Sequence, residues 1–386
     1  MAGVARRTAA PGARRLVAVT LGCLVLSGCG GGYQPAGPFR DVPQGQPPEV
    51  APPAPSGPVP APGNPSTPGT EDQQEGDPNV VATGLTVPTG LVVLPDGTAV
   101  VGERDSGRLL QVFPDRSPAR ELMTLPGVDS AGDGGLLGLA ISPTYGEDGL
   151  LYAYVSTATD NRVVRFPLGG TPNPVLTGIP RGEVDNGGGL LFGGDGTLYV
   201  GTGDVGDPAL AADPASLAGK VLAIDVFGRP AVSGGPVSSR GYRNVTALCQ
   251  GPQQLFATDE AATGPDAVDA VTRGGDVGPG GADPVFELPA EEGGLGGCAV
   301  AGSFVFLGAM DGRQVDVLQL DGNGEPVADP EPFLPDQYGR LRTVVLAPDG
   351  ALWITTSNKD GLGTPEADDD RVLRVVPPAG QADSPL

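Results

Sequence analysis

The apolar positions of this chain come in short runs. Val, Leu and Ile alternate with polar residues or cluster over a few positions, and Asp-Gly, Pro-Asp or Gly-rich breaks end each run. No long stretch repeats at a helical period, so the pattern predicts strands. Six copies of one unit follow one another. They begin at Leu91 (LVVLPDGTAVVGERDSGRLLQVFP), near Gly138 (LGLAISPTYGEDGLLYAYVSTATDNRVVRFPL), and at Gly189 (GLLFGGDGTLYVGTGD, with GKVLAIDVFG later). The next begin at Val245 (VTALCQGPQQLFATDEA), Cys298 (CAVAGSFVFLGAMDGRQVDVLQLDG) and Leu341 (LRTVVLAPDGALWITTSNKDG, with DDRVLRVVPP later). Each predicts a strand, a tight turn, a second strand ending in small polar residues, and a third strand of alternating Val and Leu. The units recur every 43 to 56 residues. A β-sandwich accounts for the strands but not for the recurring unit. A period in this range predicts an all-β fold, a six-bladed β-propeller spanning residues 78–378 with a short tail at 379–386. Asp96, Asp195 and Asp349 then serve the hairpins, because Asp-Gly supplies the positive φ of a two-residue turn.

The segment before this pattern has a different composition. Arg6, Arg7, Arg14 and Arg15 precede an apolar stretch from Leu16 to Leu26, and LSGC ends at Cys29. The stretch is short for a bilayer span. The order of basic, apolar and small residues before a cysteine resembles a bacterial lipobox, which makes 1–28 a lipoprotein signal peptide and Cys29 the lipidated N-terminus. An ordinary secretory signal and a single anchor helix are the alternatives. Residues 31–70 hold 13 prolines among Gly, Ala, Ser and Gln. Such a composition cannot bury a core, so 29–77 is expected to be a disordered linker. The implied location is the outer face of the cytoplasmic membrane, with contact to the membrane through the lipid alone.

Charge narrows the function classes. The formal net charge is −23, and Lys220 and Lys359 are the only lysines. So acidic a chain argues against nucleic acid and anionic lipid surfaces, and is compatible with cations and neutral ligands such as sugars. Cys23 falls in the signal and Cys29 carries the lipid. The remaining Cys249 and Cys298 most simply form a disulfide in an exported protein, two buried thiols being the alternative.

The loops between the repeats carry the candidate chemistry. The chain holds GLTVPTGLVVLPDGTAVVGER, GGLLGLAISP, DNGGGLLFGGDGTLYVGTGD, LAGKVLAID, GYRN and APDGALWITTSNKDG in that order. This set resembles the glucose/sorbosone dehydrogenases, the PQQ-dependent soluble aldose dehydrogenases, over nearly all of residues 84–376. The lipobox and linker resemble the actinobacterial lipoprotein branch of that family. The resemblance implies pyrroloquinoline quinone (PQQ) on one face of the propeller with Ca²⁺ beside it. A histidine takes the sugar's hydroxyl proton, and a cation stabilises the reduced cofactor.

Carried over position by position, the resemblance implies cofactor contacts at Asp133, Arg243, Asn244 and Lys359; a cofactor rich in carboxylates also wants cations, and Arg273 or Arg371 are the further ones the chain offers. It places metal ligands at Asp266 and Asp269, with Ala267 where the family has another carboxylate. The histidine of the family's HNGG falls on Asp185, and Tyr242 stands for the second histidine of GHRN. The chain has no histidine at all. An aspartate is by type a far weaker base than an imidazole, and general-base catalysis contributes roughly 10²- to 10⁴-fold. Two functions therefore compete. One is a degenerate propeller that binds a sugar, another small molecule or an envelope partner. The other is a PQQ- and calcium-dependent oxidoreductase that oxidises aldoses at C1 with Asp185 as a compromised base. The sequence names no protein partner.

Overall fold

The computed structural model describes residues 76–231 and 233–377. The expected signal segment, Cys29, most of the expected linker and the 379–386 tail lie outside the described residues. Six four-stranded antiparallel sheets account for all 24 strands described. Their first strands are Pro88–Val93, Leu136–Ile141, Leu190–Phe192, Val245–Gln250, Leu295–Ala301 and Leu341–Leu346. These first strands contact one another around a common axis, so each sheet is a blade of a propeller. Every predicted repeat starts within or one residue before one of them. The blades are numbered 1 to 6 in this order.

The ring closes by exchange. Val80–Ala82, at the start of the described chain, pairs with Val372–Val375 and becomes the outer strand of blade 6. Each blade also has a fourth, outer strand that the three-strand repeat did not reveal. Arg120–Thr124 and Asn173–Ile179 show why, because most of their positions are exposed or only half buried and no alternation survives.

Each blade buries its two faces against its neighbours, and six hydrophobic clusters fill the six boundaries. Near the axis, threonine hydroxyls cross the boundaries. Thr246 Oγ1 donates to the Leu295 carbonyl at 2.5 Å, while Thr89 and Thr343 make the same kind of bond to Leu136 and Thr89 carbonyls. The hairpin aspartates act as expected. Asp96 and Asp195 accept from the backbone N–H of Thr98 and Thr197 at 2.9 Å each, and Asp349 accepts from Ala351 at 3.1 Å.

Cys249 and Cys298 form a disulfide, with Cα atoms 5.7 Å apart and a sequence separation of 49. It staples the first strands of blades 4 and 5 inside their shared apolar cluster. Replacing both cysteines with serine is expected to lower stability by roughly 3 kcal/mol, largely through the freed unfolded chain. A melting temperature unchanged in the double variant would count against a stabilising staple.

Candidate functional site

The antiparallel order fixes where the loop residues gather. Residues just before each first strand and just after each second strand lie on one face, and the Asp-Gly hairpins lie on the other. Asp133, Asp185, Arg243 and Asn244 precede first strands, and Lys359 follows the second strand Leu352–Thr356. The fold thus brings the predicted cofactor contacts to a single face, the mouth.

The loop carrying Asp185 is held from three sides. Asn186 is buried; its Oδ1 accepts from Asn161 Nδ2 and the Gly182 N–H at 3.0 Å each, and its carbonyl accepts from the Tyr154 hydroxyl at 2.8 Å. From blade 4, Asn244 Oδ1 accepts from the Gly187 N–H at 2.8 Å. The third contact is backbone on backbone, since the Val205 N–H donates to the Asp185 carbonyl at 3.1 Å. That approach explains the glycine of GTGD. A Cβ on Gly203 would stand 1.8 Å from the Asp185 carbonyl oxygen. Asp185 itself has φ of 55°, a left-handed conformation that aspartate, asparagine and histidine tolerate better than most residues.

Asp185 is 6% exposed, and its Oδ2 accepts from Arg243 Nη2 at 3.3 Å. Arg243 Nε is buried without a partner. The two residues line a cleft of about 330 Å³ with Asp204, Pro208, Ala211 and Pro279. Lys359 is not part of its lining. It belongs to the same face but donates its Nζ to the Leu85 carbonyl at 2.7 Å, tying blade 6 to blade 1. Asp133 is tied by its backbone N–H to the Glu183 carbonyl at 2.8 Å, which docks the loop before blade 2 on the loop before blade 3.

Several other expectations need correction. Tyr242 is fully buried in the apolar boundary between blades 3 and 4, where its hydroxyl meets Ser239 at 2.9 Å; the phenol faces the core and is no substitute for a mouth imidazole. Asp266 is committed to the backbone, its Oδ1 accepting from Ala261 at 2.7 Å and its Oδ2 from Leu295 at 2.8 Å. Asp269 is buried in mid-strand opposite Ala257. Among the described residues no group of three or more His, Cys, Asp or Glu side chains is placed to hold a metal ion. Asp266 and Asp269 therefore belong to no such side-chain group. Arg371 is engaged by Glu366 and Asp369, and Arg273 is exposed.

The structure adds residues that the sequence reading passed over. Arg342 lies on the first strand of blade 6. It makes no ion pair among the described residues, and burial lowers its guanidinium's pKa, partly offset by Glu260. Glu260 of blade 4 accepts from Asn244 Nδ2 at 2.7 Å. Burial pushes its carboxyl up to about 7 against the pull of Arg342. Its neighbour Asp259 accepts from the Arg243 and Asn244 N–H groups at 3.0 and 2.6 Å, and burial raises it to about 6. The one available signal was Arg340-Leu341-Arg342, two arginines flanking a strand start in a chain poor in cations.

Burial also raises Asp269 to about 7, with Asp259 and Glu287 adding repulsion. These carboxyls bind protons in the folded state above the unfolded aspartate and glutamate values. Their stabilisation is complete below pH ~4 and is lost as pH rises through about 7. Melting should therefore occur at higher temperature at pH 5 than at pH 7.5. Asp269→Asn should raise the pH 7.5 value and flatten the difference. A melting temperature that rises from pH 5 to 7.5, or a variant with the wild-type slope, would refute this.

The family model for glucose/sorbosone dehydrogenase matches residues 85–279 and 300–364. That span covers blades 1 to 3 whole, parts of blades 4, 5 and 6, and the mouth loops just described. The chain belongs to the glucose/sorbosone dehydrogenase family. Among solved members, the PQQ-bound aldose sugar dehydrogenase of Streptomyces coelicolor is 39% identical with a TM-score of 0.74, covering 77% of this chain and 96% of that one. A putative oxidoreductase (glucose dehydrogenase) from Thermus thermophilus is 34% identical with a TM-score of 0.71, covering 77% and 98%. The aldose sugar dehydrogenase YliI of Escherichia coli is 23% identical over 71% of this chain and 88% of its own. The chain spans about half of quinoprotein glucose dehydrogenase B of Acinetobacter calcoaceticus, at 24% identity over 52% of each. In this chain the mouth holds an acid at 185 joined to Arg243.

Proposed function

We propose that this protein is a carbohydrate-binding member of the glucose/sorbosone dehydrogenase family that has lost the dehydrogenase step. One observation carries the reading: Asp185, at the position the family resemblance gives to the base, is buried and its Oδ2 is taken by Arg243. A carboxylate so engaged orients a ligand well and accepts a hydroxyl proton poorly. The cleft suits a sugar in other respects. Asp185, Asp204 and Arg243 offer acceptors and a donor to hydroxyls, and Pro208, Ala211 and Pro279 offer an apolar wall to C–H groups.

The cations of the mouth fit PQQ, which carries carboxylates and, when bound, supplies a two-electron acceptor. Arg342 makes no ion pair among the described residues although Glu260 acts on it electrostatically, and Lys359 donates only to a carbonyl. These two would hold such an anion, while Asn244 links the Asp185 loop to Glu260 of blade 4. Asp266 and Asp269 do not fit calcium, so no role is assigned to that ion. From the basic and apolar leader and Cys29 we also infer lipid anchoring at the outer face of the cytoplasmic membrane, with the Pro-rich segment as spacer.

Calorimetric titration with aldoses, run beside dye reduction in the presence of PQQ, tests the function. Saturable sugar binding without turnover is expected. Rapid dye reduction, or no binding of any sugar, would overturn it.

A further inference from the structure

The Asp185 cleft carries more negative than positive charge. Asp185 and Asp204 line it together and are 6% and 4% exposed. Asp185 Oδ2 accepts from Arg243, and its Oδ1 takes no hydrogen bond among the described residues. Asp204 Oδ1 accepts from the Gly206 N–H at 2.7 Å, and its Oδ2 likewise takes none. Two nearly buried carboxylates thus each present a free oxygen to one cavity. Burial raises Asp204 above the usual aspartate range; the Gly206 N–H opposes this, and Asp185 and Asp207 add to it against Arg243. Asp259 stands behind the Arg243 backbone. Among the described residues Arg243 is the only cation lining the cleft, and Asp276, also in its lining, is paired with Arg240 at 2.8 Å.

A neutral aldose would donate hydroxyl hydrogens to the free oxygens and leave the charge unbalanced. An ammonium supplies three donors and balances it, and charge complementarity counts for more where water is largely excluded. The net charge of −23 draws cations toward the protein as a whole.

We propose that the cleft selects a small hydroxylated primary ammonium, an amino sugar with its amine free, seated between Asp185 and Asp204. This rests on the carbohydrate-binding reading and names its ligand class. The geometry also assigns Asp204 as the residue that sets the preference and Arg243 as its competitor for Asp185.

Calorimetry of the purified protein with glucosamine, glucose and N-acetylglucosamine at low salt and pH 6 tests the proposal. Glucosamine should bind about tenfold tighter than the other two, with the preference shrinking as salt screens the charge. Asp204→Asn should bring the three sugars to within about twofold of one another. Arg243→Gln should widen the preference, an outcome that a misfolded variant does not produce. Equal affinity for glucose and glucosamine, or a preference unmoved in both variants, overturns the ligand class and leaves sugar binding standing. Failure of all three sugars to bind overturns both.

Discussion

Replacing Asp185 with histidine is expected to raise PQQ-dependent aldose oxidation by roughly 10²- to 10⁴-fold, the span general-base catalysis contributes. The backbone is ready for the change. Asp185 sits at φ 55°, and histidine is among the few residues enriched in that region. The loop is held by Asn186, by Asn244 and by its own carbonyl, none of which involves the Asp185 side chain. The substitution removes the carboxylate paired with Arg243 and leaves an imidazole whose ordinary pKa lies near 6.5, suited to taking a proton at neutral pH. The gain should appear in kcat more than in KM, because the group acts in the transition state. A variant that binds sugar and PQQ as the wild type does, yet reduces no more dye, would show that a missing base is not what separates this mouth from an active one.

The second large effect concerns the backbone behind the site. Gly203→Val should destabilise the fold by more than about 4 kcal/mol and abolish ligand binding. Its Cβ would meet the Asp185 carbonyl oxygen at 1.8 Å, the Asp185 carbonyl carbon at 2.4 Å and the Gly187 nitrogen at 2.9 Å. All three are backbone atoms, so no side chain can swing away, and overpacking of this kind forces the chain itself to move. The segment that must move is the one that positions Asp185. Gly194, where an added Cβ would meet nothing within 4 Å, is the matched control, and alanine there should be nearly neutral. Near-wild-type melting of the Gly203 variant would mean that the close approach of the two loops is not required.

Much of this architecture was written in the chain at short range. The first strand and hairpin of each blade share apolar runs with Asp-Gly turns, and a turn's chemistry is local, so Leu91, Val245 and Leu341 marked blade starts correctly. Outer strands such as Arg120–Thr124 and Asn173–Ile179 escaped because most of their positions are exposed or half buried, so no alternation marks them. The closing strand Val80–Ala82 escaped because its partner, Val372–Val375, is far away in sequence. At the mouth, Asp185, Arg243 and Asn244, which motif position singled out, lie on one face. Motif position did not show that Asp185 and Arg243 pair, that Lys359 turns to a carbonyl of blade 1, or that Tyr242 packs into a blade boundary. Side-chain direction after a glycine-rich turn depends on φ values and on backbone contacts between blades, which a linear pattern does not encode. Glu260 and Arg342 were missed for the same reason, since each gains its character from burial opposite the other. The sequence also did not show that Asp266 accepts backbone N–H bonds on both oxygens, because a carboxylate so engaged looks in sequence like one that is free.

The most direct measurement follows the absorbance of the bound quinone after the PQQ-loaded wild-type protein is mixed with saturating amino sugar or aldose. A spectrum that stays oxidised while calorimetry on the same preparation records bound sugar is the predicted result. Reduction of the quinone at a rate comparable to that of the Asp185→His variant would contradict the claim that the Asp185–Arg243 pair turns an oxidising mouth into a binding one.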